Sequence, residues 1–228
     1  RVPGISLPYG AVFTVIALLL VAGLLETGLI SLILAFAGGF ILLGPLVAVG
    51  LYEVSRRLEA NEPVSFGHVV SAGLRAPGQL GFFGAILAFA FAIWLQLAFL
   101  LFMLFMGGRG FPPLDEFMPM LLFTPGGLGL LIVGTTVGGI LASLVFAISA
   151  VSVPLMMEHR VDAVTAISVS LRAVATNPKP MALWAGLIAA FMVLGILTMF
   201  AGLVIAFPLI GHATWHAYRA MIDPTARG

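Results

Sequence analysis

APGQLGFFGAILAFAFAIWLQLAFLLFMLFMGG, residues 76–108, holds no Asp, Glu, Lys or Arg. A helix needs about 20 apolar residues to cross the hydrocarbon core of a bilayer. This run exceeds that length, and its aromatic side chains leave no polar face for water. Four further stretches share the property: residues 2–25, 27–52, 117–157 and 180–218 are also free of charged side chains. Only 8% of the 228 residues are charged, against about a quarter in a soluble domain. Charge that scarce leaves most of the surface to lipid.

The fold class that follows is all-α: a polytopic membrane helix bundle forming a single integral membrane domain over residues 1–228. Six spans are predicted near residues 9–25, 28–52, 79–106, 127–155, 181–199 and 202–219. The 117–157 run fits either one long span or two short ones. Net charge is +1 and cysteine is absent. The first excludes a basic field for nucleic acid, and the second excludes disulfides, thiolate nucleophiles and Cys-held metals. No signal-peptide pattern precedes the first span. The chain opens on Arg, so a native N-terminus extending before Arg1 is expected.

Orientation follows from the basic residues. Residues 53–78 carry Arg56, Arg57 and Arg75, and residues 156–180 carry Arg160, Arg172 and Lys179. Arg1, Arg219 and Arg227 fall on the same side, which leaves Arg109 alone on the other. Basic short loops stay in the cytoplasm. The prediction is a multi-pass protein of a bacterial inner membrane with both termini cytoplasmic. In the outer loop, LDEFMPMLLF (114–123) reads as a short interfacial helix with Asp115 and Glu116 towards water.

The chain also repeats itself. PLVAVGLYEVSR (45–56) parallels PLIGHATWHAYR (208–219), and Pro154-Leu155 begins a shorter version. The segments before spans three and five match as well. Three pseudo-repeated hairpins are predicted, with units near 1–57, 62–160 and 161–222, each led by an interfacial helix. In 63–75 the apolar face is Phe66, Val69, Val70 and Leu74; in 162–174 it is Val164, Ile167 and Leu171. The first unit then calls for an interfacial helix ahead of residue 1.

Inside lipid, small residues let helices approach closely. Gly134, Gly138 and Ala142 form one ladder on span four, and Gly139, Ser143 and Ala147 form a second; both place that span at the bundle centre. Span three is bulky all round. Phe91, Trp94, Phe99, Phe102 and Phe105 are its candidate partner face, with lipid the simpler occupant.

Candidate chemistry is sparse. His212 and His216 stand one helical turn apart and suit a shared metal or a haem. The simpler reading has His212 bonding across helices and His216 in the headgroup zone. Glu53, Arg56, Glu158, His159, Arg160, His212, His216 and Arg219 form a candidate polar cluster at the cytoplasmic face, either salt bridges locking helix ends or a pathway. No catalytic, cofactor or metal motif is present, so none is assigned.

The runs GPLVAVGLYEVSRRLEANEP (44–63), ISAVSVPLMMEHRVDAVTAISVSLRAV (148–174), ALWAGLI (182–188) and PLIGHATWHAYR (208–219) resemble an uncharacterised bacterial inner-membrane family, a domain of unknown function. The resemblance covers nearly the whole chain. It implies a six-span inner-membrane protein and brings no catalytic residue with it. The function expected is non-enzymatic: an accessory or assembly subunit that sits in the lipid bilayer and binds other membrane subunits, an energy-converting complex among the hosts considered. The alternatives are a small transporter or lipid-handling protein with a cavity on the pseudo-threefold axis, and haem or metal binding through His212 or His216.

Overall fold

The computed structural model describes residues 2–107 and 110–222. Arg1, Arg109 and Arg227, three of the basic residues that set the expected orientation, lie outside the described residues. Every regular element among the described residues is helical. In order these are α1 (Pro3–Glu26), α2 (Ile33–Leu42), α3 (Gly44–Val47), α4 (Val49–Glu59), α5 (Phe66–Val70), α6 (Pro77–Met106), α7 (Leu114–Phe123), α8 (Pro125–Ser149), α9 (Ser152–Glu158), α10 (Ala163–Thr176), α11 (Pro178–Leu197) and α12 (Leu203–Ile222), with 3-10 turns at Ile30–Leu32 and Ser71–Arg75.

Among the described residues, four helical stretches are long and apolar enough to cross a membrane: Pro3–Glu26, Pro77–Met106, Pro125–Glu158 and Pro178–Leu197. The third joins α8 and α9, so the 117–157 run holds one long span. The expected second span is not one helix. It breaks at Leu43 and Ala48 into α2, α3 and α4. Pro45 has no N–H for the Ile41 carbonyl, and Gly38, Gly39 and Gly44 lower helix propensity around it. The expected sixth span is α12, whose apolar run is diluted by Pro208, His212, His216 and Arg219.

The chain divides into two compact units, one of Arg1–Ile16, Gly44–Ala85 and Phe146–Gly228 and the other of Ala17–Leu43 and Ile86–Val145. In the first, α4 packs on α12. A Cβ placed on Gly211 would meet Leu51 Cδ1 at 2.6 Å, so only glycine permits that approach. The first turns of α1 close on the same helix: Phe13 stacks on Phe207 with centroids 3.8 Å apart. α10 lies on α9 through its small residues Ala163, Ala166 and Ser170, all buried. Ser170 mends the break between α8 and α9. Its hydroxyl donates to the Ala147 carbonyl at 2.7 Å and accepts from Val151 N at 3.2 Å. Asp162 caps α10, accepting from Thr165 N at 2.9 Å, as an N-cap carboxylate should.

The expected interfacial faces are present with one correction. Phe66, Val70, Leu74, Val164 and Leu171 are exposed, as residues lying in a headgroup layer would be. Val69 is instead buried, against Gly50 of α4.

In the second unit, Trp94 organises the packing. Its indole N–H donates to the Ala35 carbonyl at 2.6 Å, and its ring lies 3.2 Å from a Cβ position on Gly38 and 2.8 Å from one on Gly138. Phe102, Phe117 and Leu121 form a buried cluster with Phe111 against it. α7 thus forms where its sequence predicts, with Asp115 and Glu116 in its first turn. Ser31 Oγ donates to the Pro112 carbonyl at 3.0 Å.

Two expectations about the spans are corrected here. The Gly134–Gly138–Ala142 ladder is not a helix-packing face: a Cβ on Gly134 meets nothing within 4 Å, and Gly138 accommodates an indole ring, not a backbone. The candidate partner face on α6 is not one face either. Trp94 and Phe102 are buried, Phe91 and Phe105 are half-buried, and Phe99 is exposed, as are Phe82, Phe89, Leu100 and Leu104. A large ring beside glycines turns inward because the gap is there to fill, which periodicity in an all-apolar helix cannot reveal.

Candidate functional site

The polar residues of the first unit resolve into three groups. The first centres on Glu53, whose side chain is only 2% exposed. The helical turn of α4 sets Arg56 and Arg57 three and four positions on, so both reach back. Arg56 Nε stands 3.0 Å from Oε2 and Arg57 Nε 2.7 Å from Oε1. Arg75, from the turn before α6, adds Nε at 2.7 Å from Oε2 and Nη2 at 3.1 Å from Oε1. Glu62 closes the group on the water side, accepting from Arg56 Nη2 at 2.9 Å. Burial raises the affinity of Glu53 for a proton. The hydrogen bonds of Arg56 and Arg57 and the charges of Arg75 and Arg56 outweigh it, and the carboxyl is held below its usual range. Glu62 is lowered chiefly by the Arg56 hydrogen bond.

The second group ties α12 to α4 and α9. Arg219 Nε donates to Glu59 Oε1 at 3.1 Å and its Nη1 to Glu158 Oε1 at 3.0 Å. Tyr218 donates to Glu158 Oε2 at 2.6 Å, and Trp215 Nε1 to Glu59 Oε2 at 2.9 Å. His159 lies 3.8 Å from Glu158. The third group is His212. Ser6 Oγ of α1 sits 2.8 Å from its Nε2 and Ser55 Oγ of α4 sits 2.7 Å from its Nδ1. A neutral imidazole donates from one nitrogen and accepts at the other, so the ring bridges three helices.

This arrangement is the cross-helix reading of His212, while His216, one helical turn further along α12, is exposed. With both ring nitrogens bonded, His212 has no lone pair directed at a metal, and no group of three metal-ligating side chains occurs among the described residues. The expected single cluster is therefore three. Glu53 and Arg56 belong to the first, Glu158, His159 and Arg219 to the second, and Arg160 is exposed beyond them. Glu53 and His216, expected to be equivalent in the repeat, differ: one is buried in ion pairs, the other is exposed. Sequence reasoning passed over Glu59, Ser6, Ser55 and Glu62. No sequence signal marked Glu59 or the serines, because their partners come from α12.

Helices of membrane length, with polar groups tied off at the ends of α4, α9 and α12, make this a polytopic integral membrane protein. The chain belongs to the family described as predicted integral membrane protein (DUF2189), whose model matches residues 32–158. That segment contains the Glu53 group and Glu158; His212 and Arg219 lie past it. No curated protein and no solved structure matches the chain.

Proposed function

We propose that the protein is a non-enzymatic accessory or assembly subunit of the bacterial inner membrane, crossing it six times with both termini in the cytoplasm and binding other membrane proteins through its lipid-facing helices. The crossings are the four long helices, the broken segment from Ile30 to Tyr52, and α12. Arg219 supports this path, because its bonds to Glu59 and Glu158 bring the ends of α4, α9 and α12 to one side. Basic Arg56, Arg57, Arg75, Arg160 and Arg172 mark that side as cytoplasmic. Three repeated hairpins account for the likeness of α4 and α12.

One observation carries the partner-binding reading. On α8, Thr136, Gly139 and Ser143 are exposed in a line, and a Cβ on Gly139 meets nothing within 4 Å. Their hydroxyls are satisfied within the helix, Thr136 by the Ile132 carbonyl at 2.8 Å and Ser143 by Gly139 at 2.7 Å. Such a line lets a second helix approach closely, which is the main route to association inside lipid. A photo-cross-linker at Gly139 in native membranes should join a different membrane subunit, and Gly139→Leu should abolish that subunit's co-purification. Capture of lipid alone at Gly139 and at Phe99 would reject the reading and favour a transport or lipid-handling role.

A further inference from the structure

A recess of about 470 Å³ lies between the start of α6 and the segment from α9 to α10, bordered by Arg75, Gln79, Glu158, His159, Arg160 and Asp162. Its position is informative. Pro77 opens one membrane-length helix and Glu158 closes another, so the recess sits at headgroup depth. Its walls are fixed: Gln79 Oε1 accepts from Ala163 N at 2.8 Å and pins α6 to α10.

The lining carries both signs. Arg75 and Arg160 are cationic, with His159 beside them, while Glu158 and Asp162 are anionic. Arg160, His159 and Asp162 are exposed. Glu158 is engaged with Arg219 and Tyr218, Asp162 with Thr165, and Arg75 with Glu53 through Nε and Nη2, yet each carboxylate oxygen keeps a lone pair and Arg75 keeps Nη1 for a further partner. A recess with a guanidinium on one edge and carboxylates on the other matches a headgroup carrying a phosphodiester and an ammonium together. It matches a purely anionic one less well, because the carboxylates would repel it.

A second observation points the same way. From Gln79 the helical repeat leads to Phe82, three residues on, whose ring is exposed. Val164, two residues past Asp162, is exposed as well. The polar recess therefore opens onto an apolar track at the start of a membrane helix, which is the outline of one phospholipid.

We propose that this recess is a phospholipid site, holding the phosphate of a phosphoethanolamine headgroup at Arg160 and Arg75 and its ammonium at Asp162 and Glu158, with the start of an acyl chain along Phe82 and Val164. The assignment is independent of the partner-binding reading, since it needs only the helix ends and not the face of α8.

The test is native mass spectrometry of the full chain in detergent, titrated with phosphatidylethanolamine, phosphatidylcholine and phosphatidylglycerol. One phosphatidylethanolamine adduct is expected, held about tenfold more tightly than either competitor, the value of one charge-assisted hydrogen bond. Arg160→Gln should weaken it about tenfold. Asp162→Asn keeps the helix cap and should erase the preference over phosphatidylcholine, whose trimethylammonium has no N–H. Arg172→Gln, on the exposed side of α10, should change nothing. Equal affinity for the three lipids in the wild type overturns the site whatever the variants do, as does an Arg160→Gln protein that binds like the wild type. Soluble glycerophosphoethanolamine or inorganic phosphate binding as tightly as the lipid would remove the acyl track and overturn the lipid assignment.

Discussion

Arg75 holds Glu53 with a hydrogen bond from Nη2 to Oε1 at 3.1 Å and an ion-pair contact of 2.7 Å between Nε and Oε2, across 22 positions of sequence. The pair fixes the turn before α6 against the end of α4, and it does so beside two further guanidiniums. A carboxylate this enclosed is stabilising only while it is charged.

Glu53→Gln should therefore leave three arginines facing one another and lower stability by about 3 kcal/mol, as expected when one partner of a buried ion pair is removed. The wild type should also be acid-sensitive. Because the folded carboxyl titrates below its unfolded value, its contribution is complete above the unfolded pKa and is lost as pH falls through the folded one. Thermal midpoints in detergent between neutral pH and pH 3 should drop for the wild type and change less for Glu53→Gln. Parallel curves for the two proteins would show that Glu53 is not the acid-sensitive group.

His212→Ala removes the bridge between Ser6 and Ser55 and leaves two buried hydroxyls unpaired, a loss of about 2 kcal/mol. His216→Ala, on the exposed side of α12, should change stability by less than about 0.5 kcal/mol. Visible spectra of the wild type mixed with haemin should show no Soret shift, because neither nitrogen of His212 is open. A shift that disappears in His212→Ala would restore the haem reading.

Gly138 and Gly134 lie one turn apart on α8 and should respond oppositely to alanine. Gly138→Ala presses on the Trp94 ring and should cost about 1–2 kcal/mol, the usual penalty of overpacking. Gly134→Ala enters open space and gains up to about 1 kcal/mol of helix propensity. Equal midpoints for the two variants would mean that the indole does not lie against Gly138.

The proposed path through the membrane is checked by reporters inserted after Asn61, Arg160 and Pro112. The first two should be active only in the cytoplasm and the third only outside. Any other pattern removes the six-crossing arrangement.

The sequence exposed the helical membrane class and the membrane-length helices because the absence of charge over 20 or more residues has few other causes. Its second span was misread as continuous, although Pro45 and three neighbouring glycines stood in plain view; hydropathy averages over such breaks. The inner charges were legible as a set but not as pairs. Arg56 and Arg57 follow Glu53 at helical spacing and could be paired on sight, whereas Arg219 with Glu59 depends on α4 meeting α12. The inward turn of Trp94 and Phe102 was unreadable for another reason: in an all-apolar helix, burial leaves no compositional trace.

The seat of His212 also sets an order on biosynthesis. Arg75 leaves the ribosome 22 residues after Glu53, roughly one to four seconds later at ordinary elongation rates. The Glu53 group can thus close almost at once from neighbouring chain. Ser55 waits 157 residues for its imidazole and Ser6 waits 206, on the order of ten to forty seconds. Until α12 arrives, both hydroxyls lack the ring that will join them. α12 is the keystone: a chain halted before it would carry a correctly built charge group and an open polar seam, the kind of mark by which quality control can tell a chain that lacks this helix from one that has it.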